Sequence, residues 1–349
     1  MSDADSRGPD RRARPTMYDV AALAGVSLKT VSRVVNGVST VDPALTERVR
    51  EAADKLGYRP NLTASNLRRS DGRTSTIGML VEDVANPFSA ALMRAVENVA
   101  SERGVLVLIG SLDEDPARER KLASALIDRR VDGLVIVPAG RDHSYLISER
   151  RAGTCLVFLD RRPNLLDADA VVSDNRDGAV AAVRHLLDGG HRRIAYMGDE
   201  SSIATAVERL AGYRHALEVA HVPIDENLIR PGSATEDAAI EATRQLLALP
   251  DPPTALFTSQ NLVTVGASRV LRALGLQRSI AVVGFDDFPL ADMLRPGITV
   301  VAQDADQMGS LAAQILFRRL DGDTSPTETF IVPTRLIPRG SGEIRLASR

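Results

Sequence analysis

Residues Thr16–Asn36, TMYDVAALAGVSLKTVSRVVN, constrain the fold more than any other stretch of this chain. The pattern predicts two short helices joined by a glycine turn. Thr16 caps the first helix, with Asp19 three places on as an acidic variant of the capping box. Val20, Ala21, Leu23 and Ala24 supply its apolar face. Gly25 sits where a sharp turn needs a positive φ, and Ser27 is a natural N-cap for the second helix. There Val31, Val34 and Val35 face inward at helical spacing. Leu28, Lys29, Thr30, Ser32, Arg33 and Asn36 are left near the exposed face or the start. A helix-turn-helix needs these parts: a small apolar buttress and a second helix offering polar side chains to a major groove. An ordinary αα-hairpin in a larger fold has the same spacing, so spacing alone leaves both readings open.

The chain continues as a small helical unit. Asp42-Pro43 reads as an N-cap followed by proline at the first helical position. It opens a third helix, Pro43–Leu56, ended by Gly57, with Val49, Ala52, Ala53 and Leu56 available to pack on the first two. Tyr58–Asn61 breaks the pattern. Leu62–Arg68 has helical propensity but too little apolar surface for a core of its own, and a helix this short is marginal in water. Asp71–Ser75, DGRTS, reads as a flexible join.

From Thr76 onward, β-type apolar runs alternate with helical stretches. Ile77–Val81, Val105–Gly110, Gly133–Pro138, Cys155–Leu159 and Val171–Ser173 read as strands. Helices are expected near Ser89–Arg103, Ala117–Arg130 and Ser144–Arg151. The pattern restarts with Ile194–Gly198, Ala255–Ser259 and Ile280–Phe285. Such alternation predicts parallel sheets with helices on both faces, and two runs of it predict two doubly wound subdomains. A chain of 349 residues is long enough for two or three domains.

The net charge of −3 conceals an asymmetry, because residues 1–70 carry twelve Lys/Arg against eight Asp/Glu. A basic head on an acidic body suits a chain that sets one end on phosphates. No apolar run approaches the ~20 residues of a membrane span, so no membrane partner is expected. The polar start, MSDADSRGPDRRARP, has no signal-peptide core and reads as a disordered tail over residues 1–14. A single cysteine, Cys155, fits a reducing cytoplasm, and its apolar run makes it a buried structural thiol.

Catalytic signatures are missing. The five histidines, at 143, 185, 191, 215 and 221, form no metal-binding spacing. There is no phosphate loop, dinucleotide fingerprint or nucleophile elbow. No cofactor, metal or enzymatic activity is expected. In open α/β sheets, ligands lie beyond the carboxyl ends of strands. Asp83, Asn86, Asp113, Asp160-Arg161-Arg162 and Asp286-Asp287 all fall at such ends. A cleft between two subdomains would collect them around a small polar ligand, with Phe88 as an apolar face.

The string AxLAGVSxxTVSRVVN, then VDPALTERVREAADKLGYRPN, closely resembles the headpiece of the lac repressor family of bacterial transcription regulators. The likeness continues through NPF, DGLVIVP, LDRR, VGFDDFPL and VAQD, over about Thr16–Gly340. The resemblance implies a headpiece over residues 15–58 and a hinge helix and linker over 59–75. It implies a body like a periplasmic sugar-binding protein, crossed three times by the chain. The N-terminal effector subdomain would take residues 76–188 and 304–330, and the C-terminal one 189–303 and 331–345. Crossings would fall near Leu187–His191, Val301–Asp304 and Phe330–Thr334, with helix Asp306–Leu320 returning to the first subdomain.

The expected function is therefore a cytoplasmic, effector-responsive transcriptional regulator, most often a repressor in this family, on a palindromic operator. Ser27, Thr30, Ser32, Asn36 and Asn61 would hold phosphates. Lys29 and Arg33 would read guanine edges, and Leu28 would touch thymine methyls. Leu67 would be the minor-groove wedge, with Arg68 beside it. Arg209 matches an effector-binding arginine, Asp286 an effector-contacting aspartate, Gln303 a pocket glutamine and Phe88 the NPF aromatic. Asp160, Gln260 and Asn261 complete the expected site. Many relatives have Ala-Asn-Asp where this chain has Ser259-Gln260-Asn261, which removes a charged acceptor and leaves the ligand, a sugar or related metabolite, unnamed. The family's tetramers carry a leucine-heptad tail. This chain ends SGEIRLASR, so a homodimer is expected. A solute-binding receptor or a sugar-metabolising enzyme of similar build are the rivals. The headpiece argues against both.

Overall fold

The computed structural model describes residues 15–35, 40–59 and 73–346. Two compact units result, one up to Thr74 and one from Ser75. The first holds α1 (Met17–Ala24), α2 (Leu28–Val35) and α3 (Pro43–Leu56). At the start of α1, the Asp19 N–H donates to Thr16 Oγ1 while Thr16 N–H donates back to Asp19 Oδ2 at 2.7 Å. Gly25 ends that helix at φ 63°, a conformation that a Cβ would penalise. Arg48 of α3 donates to the Ala24 carbonyl at 2.5 Å, so one long side chain satisfies an orphan carbonyl of α1. Asp42 caps α3 through the Ala44 and Leu45 N–H groups.

The core of this unit is Val20, Ala24, Val31, Val49 and Ala52, edged by Met17, Ala21, Val34, Val35 and Leu56. Leu23 departs from expectation: it is 53% exposed. The inward stripe of α1 runs Met17, Val20, Ala21, Ala24, and at 100° per residue Leu23 points away from it.

The second unit carries two six-stranded sheets. The strands are β1 (Thr76–Val81), β2 (Leu106–Ser111), β3 (Gly133–Ile136), β4 (Cys155–Leu159), β5 (Asp169–Ser173), β6 (Ile194–Met197), β7 (Ile229–Arg230), β8 (Ala255–Thr258), β9 (Ala281–Phe285), β10 (Thr299–Ala302), β11 (Thr329–Val332) and β12 (Arg335–Ile337). The first sheet has order β11-β5-β4-β3-β1-β2 and the second β12-β10-β9-β8-β6-β7. Every pairing is parallel except β10–β12. The helices are α4 (Pro87–Glu102), α5 (Pro116–Asp128), α6 (Ile147–Arg151), α7 (Asn175–Asp188), α8 (Ala204–Val219), α9 (Glu236–Leu247), α10 (Asn261–Ala273) and α11 (Ala305–Leu320). In the first lobe α4 and α11 cover one face of the sheet and α5 the other. In the second lobe α7 and α8 cover one face, and α9 and α10 the other. Strands buried on both faces explain the uninterrupted apolar runs. Among the described residues, no helix is long and apolar enough to cross a membrane.

Two expected boundaries move. The first crossing falls at Asp174 and not at Leu187–His191, because α7 packs its Ala179, Val183 and Leu186 against Ile194 and Tyr196 of the second lobe. Residues 175–188 therefore leave the first lobe. The last crossing follows Val332, inside the expected Phe330–Thr334, so only the subdomain bound shifts, from 330 to 332, because β11 pairs in register with β5 through Val332–Ser173. Asp174 fastens these crossings, accepting the Thr334 N–H at 2.7 Å. Cys155, expected buried, is half-buried at the start of β4.

Helix α11 returns to the first lobe by lying almost flush on α4. A Cβ on Gly309 would sit 2.7 Å from both Ala95 Cβ and the Leu92 carbonyl oxygen. Gly309→Val should therefore destabilise the second unit by about 1–3 kcal/mol through overpacking. Urea unfolding followed on that unit measures this, and an unchanged midpoint would contradict the close approach.

Candidate functional site

Two places gather polar groups. The first is α2. The Ser27 hydroxyl caps it, accepting the Thr30 N–H at 3.2 Å and lying 2.9 Å from Thr30 Oγ1. Val31 is fully buried, and Val34 and Val35 pack beside it. Lys29 and Arg33 stand exposed one turn apart, while Leu28, Thr30 and Ser32 are half-buried. The Arg33 guanidinium donates to Thr40 Oγ1 at 2.7 Å. Asn36, Asn61, Leu67 and Arg68, with the hinge segment and the tail over 1–14, lie outside the described residues.

The second place is the cleft where the strand ends of the two lobes face each other. Asp160 follows β4 and Asp286 follows β9, and the two adopt the same unusual backbone, φ 66° and 68°. Asp tolerates this left-handed region better than most residues, and strain of this kind clusters at functional sites. Each aspartate still donates its N–H to the neighbouring strand, Asp160 to Val171 O at 2.8 Å and Asp286 to Val301 O at 2.9 Å. The lobes thus share one device: a strand that ends by turning a carboxylate into the cleft.

Arg209 of α8 organises the second lobe's side. Its Nε donates to Asn175 Oδ1 at 2.8 Å and its Nη1 to the Ser259 carbonyl at 2.7 Å. It lies 3.7 Å from Asp286 Oδ2 and 3.9 Å above the Phe285 ring. Gln303 donates to the other Asp286 oxygen at 2.6 Å. Burial nevertheless pushes the Asp286 carboxyl upward, against the pull of Arg209 and Gln303. On the first lobe's side, Arg161 forks onto Glu114 at 2.7 and 2.5 Å and donates to Pro138 O. Burial raises Asp160 to about 6, although Arg161 and Arg209 hold it down. Burial likewise raises Glu82, just after β1, to about 8, opposed by Arg161 and reinforced by Glu114, Asp199 and Asp160.

Contacts cross the cleft. Asn261 donates to Asn86 Oδ1 at 2.9 Å, and Arg141 donates to the Ser202 carbonyl at 2.8 Å. A cavity of about 300 Å³ lies between the lobes, walled by Gly140, Asp160, Arg161, Asn164, Ser202 and Thr205 among others.

Of the expected ligand residues, Asp160, Arg209, Asp286 and Gln303 converge, and Asn261 sits between the lobes. Gln260 turns aside: its amide donates to Asp199 Oδ1 and Ala234 O and accepts the Leu262 N–H, bracing the start of α10. Phe88 is half-buried against the first lobe's core. Glu82, Glu114, Asp199 and Asn175 were not foreseen. The strand-end rule that found Asp160 applies equally to Glu82, the residue after β1.

Most of the chain matches known proteins. Residues 16–61 match the model described as "Bacterial regulatory proteins, lacI family", and residues 183–342 the one described as "Periplasmic binding protein-like domain". The HTH-type transcriptional regulator CelR of Thermobifida fusca is 36% identical, over 95% of this chain and 100% of its own length. The chain belongs to the lacI family of bacterial regulatory proteins. A solved structure titled "transcriptional regulator CelR-cellobiose complex" aligns at 35% identity with TM-score 0.69, over 94% of this chain and 100% of that one. The lac repressor dimer bound to operator and the anti-inducer ONPF aligns at 26% identity with TM-score 0.82, over 95% and 99%. As a lacI-family member this is a DNA-binding transcription regulator; its relatives regulate transcription and are not enzymes.

The raised Asp160 sets the sign of a pH effect in this regulator. Its ionised form is less favoured folded than unfolded, so the stability it contributes is lost as pH rises from the ordinary 3.8 through about 6. Asp160→Asn should match the parent near the bottom of that window and exceed it by on the order of 2 kcal/mol at neutral pH. Urea unfolding at the two ends of the window measures this. A variant less stable at neutral pH would contradict the assignment.

Proposed function

We propose that this regulator is a cytoplasmic repressor that binds a palindromic operator as a homodimer and answers to a small polar effector in the cleft. The observation that carries the reading is a pairing within one chain. An exposed cationic stripe, Lys29 and Arg33, lies on the second helix of a helix-turn-helix, and the cleft holds buried polar groups without protein partners, Asp160 Oδ1 and Asn261 Oδ1 among them. Lys29 and Arg33 read base edges, since both donate to guanine O6 and N7. Ser27, Thr30, Ser32, Asn36 and Asn61 set register on phosphates, Leu28 meets thymine methyls, and Leu67 with Arg68 enters the minor groove. Likeness to the cellobiose complex supports a sugar or sugar derivative as effector.

Dimerisation is supported by the edge of the first sheet. Leu106 and Ile109 of β2 are 65% and 47% exposed, an apolar edge that a soluble protein normally covers. Arg209, Asp286, Asp160, Asn261 and Gln303 bind the effector, with Phe88 beside them and Gln260 supporting Asp199. Effector binding rotates the lobes and shifts the separation of the paired hinge segments. It acts only through different affinities for the two states.

Operator binding should fall by orders of magnitude between low and moderate salt as phosphate contacts lose their counterion-release advantage. Arg33→Ala should relax preference at one position per half-site and cost about 1–3 kcal/mol against the preferred base. Mobility shifts on selected and random duplexes measure both. Salt-independent affinity, or equal affinity for both duplexes, would contradict the reading.

A further inference from the structure

We propose that the cleft selects an effector bearing both hydroxyl groups and an amine, its ammonium seated among Glu82, Asp160 and Asp199. The proposal rests on the cleft being the effector site. It begins with donors and acceptors. Asn261 is 1% exposed. Its amide orientation is fixed, because Asn86 Oδ1 already accepts the Phe88 N–H and so must face the Asn261 NH₂. The Asn261 oxygen is left in the cleft with no protein donor, as is Asp160 Oδ1, on a residue 6% exposed. Gln303, which donates to Asp286, leaves its own oxygen likewise without a donor. Three acceptors against one unpartnered donor, Arg161 Nε, therefore call for a ligand richer in donors than in acceptors.

The charges point the same way. Arg161 holds Glu114 bidentately through its terminal nitrogens, while its buried Nε makes no hydrogen bond and lies 3.5 Å from Asp160 Oδ2. Arg209 faces Asp286. Glu82 stands 4.0 Å from Arg161, beyond hydrogen-bond reach. Asp199 accepts from the neutral Gln260 at 2.9 Å. Glu82, Glu114, Asp160, Asp199 and Asp286 thus outnumber the two buried guanidiniums, Arg161 and Arg209. Burial raises Glu82, Asp160 and Asp199 above their ordinary range. An ammonium among them would restore the balance where low dielectric makes charge count most. Of the three carboxylates Asp160 lines the cavity itself, together with Arg141 and Arg162, which are both exposed. Arg141 is committed to the Ser201 and Ser202 carbonyls. Asp160 is buried and Glu82 and Asp199 are half-buried, so these carboxylates are more enclosed than Arg141 and Arg162 and weigh more in the charge preference. An anionic effector, phosphorylated or carboxylated, would meet the carboxylates.

Calorimetry on the full chain, without DNA, tests this with three matched probe sets: glucosamine, galactosamine and mannosamine, their parent hexoses, and the hexose 6-phosphates. At least one amine should bind about tenfold more tightly than its parent, about 1.4 kcal/mol, and no phosphate should bind. Glu82→Gln should remove most of that advantage, bringing the amine's affinity to within about twofold of the parent hexose measured on the same variant. Asp199→Asn, on the other lobe, should lower the advantage too, so a misfolded first variant does not end the test. A parent hexose binding as tightly as its amine, binding of any phosphate, or no amine binding at about 10 mM would overturn the proposal. Failure of the repressor reading has a separate signature, a chain that retains no DNA in the mobility shift.

Discussion

Arg209 holds the second lobe's side of the cleft together. One guanidinium, 4% exposed, joins α7 through Asn175, the β8 end through Ser259, and the β9 end through Asp286 and Phe285. Arginine suits the position because its planar fork serves several acceptors at fixed angles while its face stacks on an aromatic ring. A buried cation is tolerable only with such partners. In turn, the Asp286 carboxylate is tolerable only beside a cation, and Gln303 keeps its orientation by donating to that carboxylate.

The first lobe solves the same problem with different residues. Asp160 repeats the left-handed strand exit of Asp286, and Arg161 takes the cation's part by forking onto Glu114. Parallel sheets impose this recurrence, since every strand delivers its carboxyl end to the same side of its lobe. Two such sheets turned toward each other make a polar cleft whatever else varies. What varies here is the balance of charge, with carboxylates at Glu82 and Asp199 and an amide at Asn261. The bonds that span the lobes, Asn86 with Asn261 and Arg141 with Ser202, are few and polar. A ligand with suitable groups can compete for them, so the lobes can respond to binding.

Local rules carried the reading from sequence a long way. Thr16, Ser27, Asp42-Pro43 and Gly57 act within a few residues of themselves, and the caps they predict are the caps observed. Apolar runs located the strands because both faces of each sheet are covered. Asp160, Arg209 and Asp286 were also accessible, the aspartates from their place after strands and Arg209 through family resemblance. Whatever depended on long-range choice was not legible. Helix α7 has an apolar stripe that either sheet could accept, and only the packed structure assigns it to the second lobe. Leu23 looked like core because its neighbours are apolar, although its helical phase points outward. Gln260 was read as a ligand residue, but its amide is occupied by Asp199 and Ala234. Glu82 follows β1 as Asp160 follows β4, but the charges it faces, Arg161, Glu114 and Asp199, are remote in sequence.

If Arg209 organises the cleft, its coupling to Asp286 must be measurable. A double-mutant cycle with Arg209→Met and Asp286→Asn, read by urea unfolding of the second unit, isolates that term. Arg209→Met alone should cost about 3–5 kcal/mol, because it strands a buried carboxylate and a buried carbonyl. The double variant should recover at least about 1 kcal/mol relative to the sum of the single losses. Losses that add within about 0.5 kcal/mol would show that the two residues act independently and that Arg209 is not the contact on which the cleft depends.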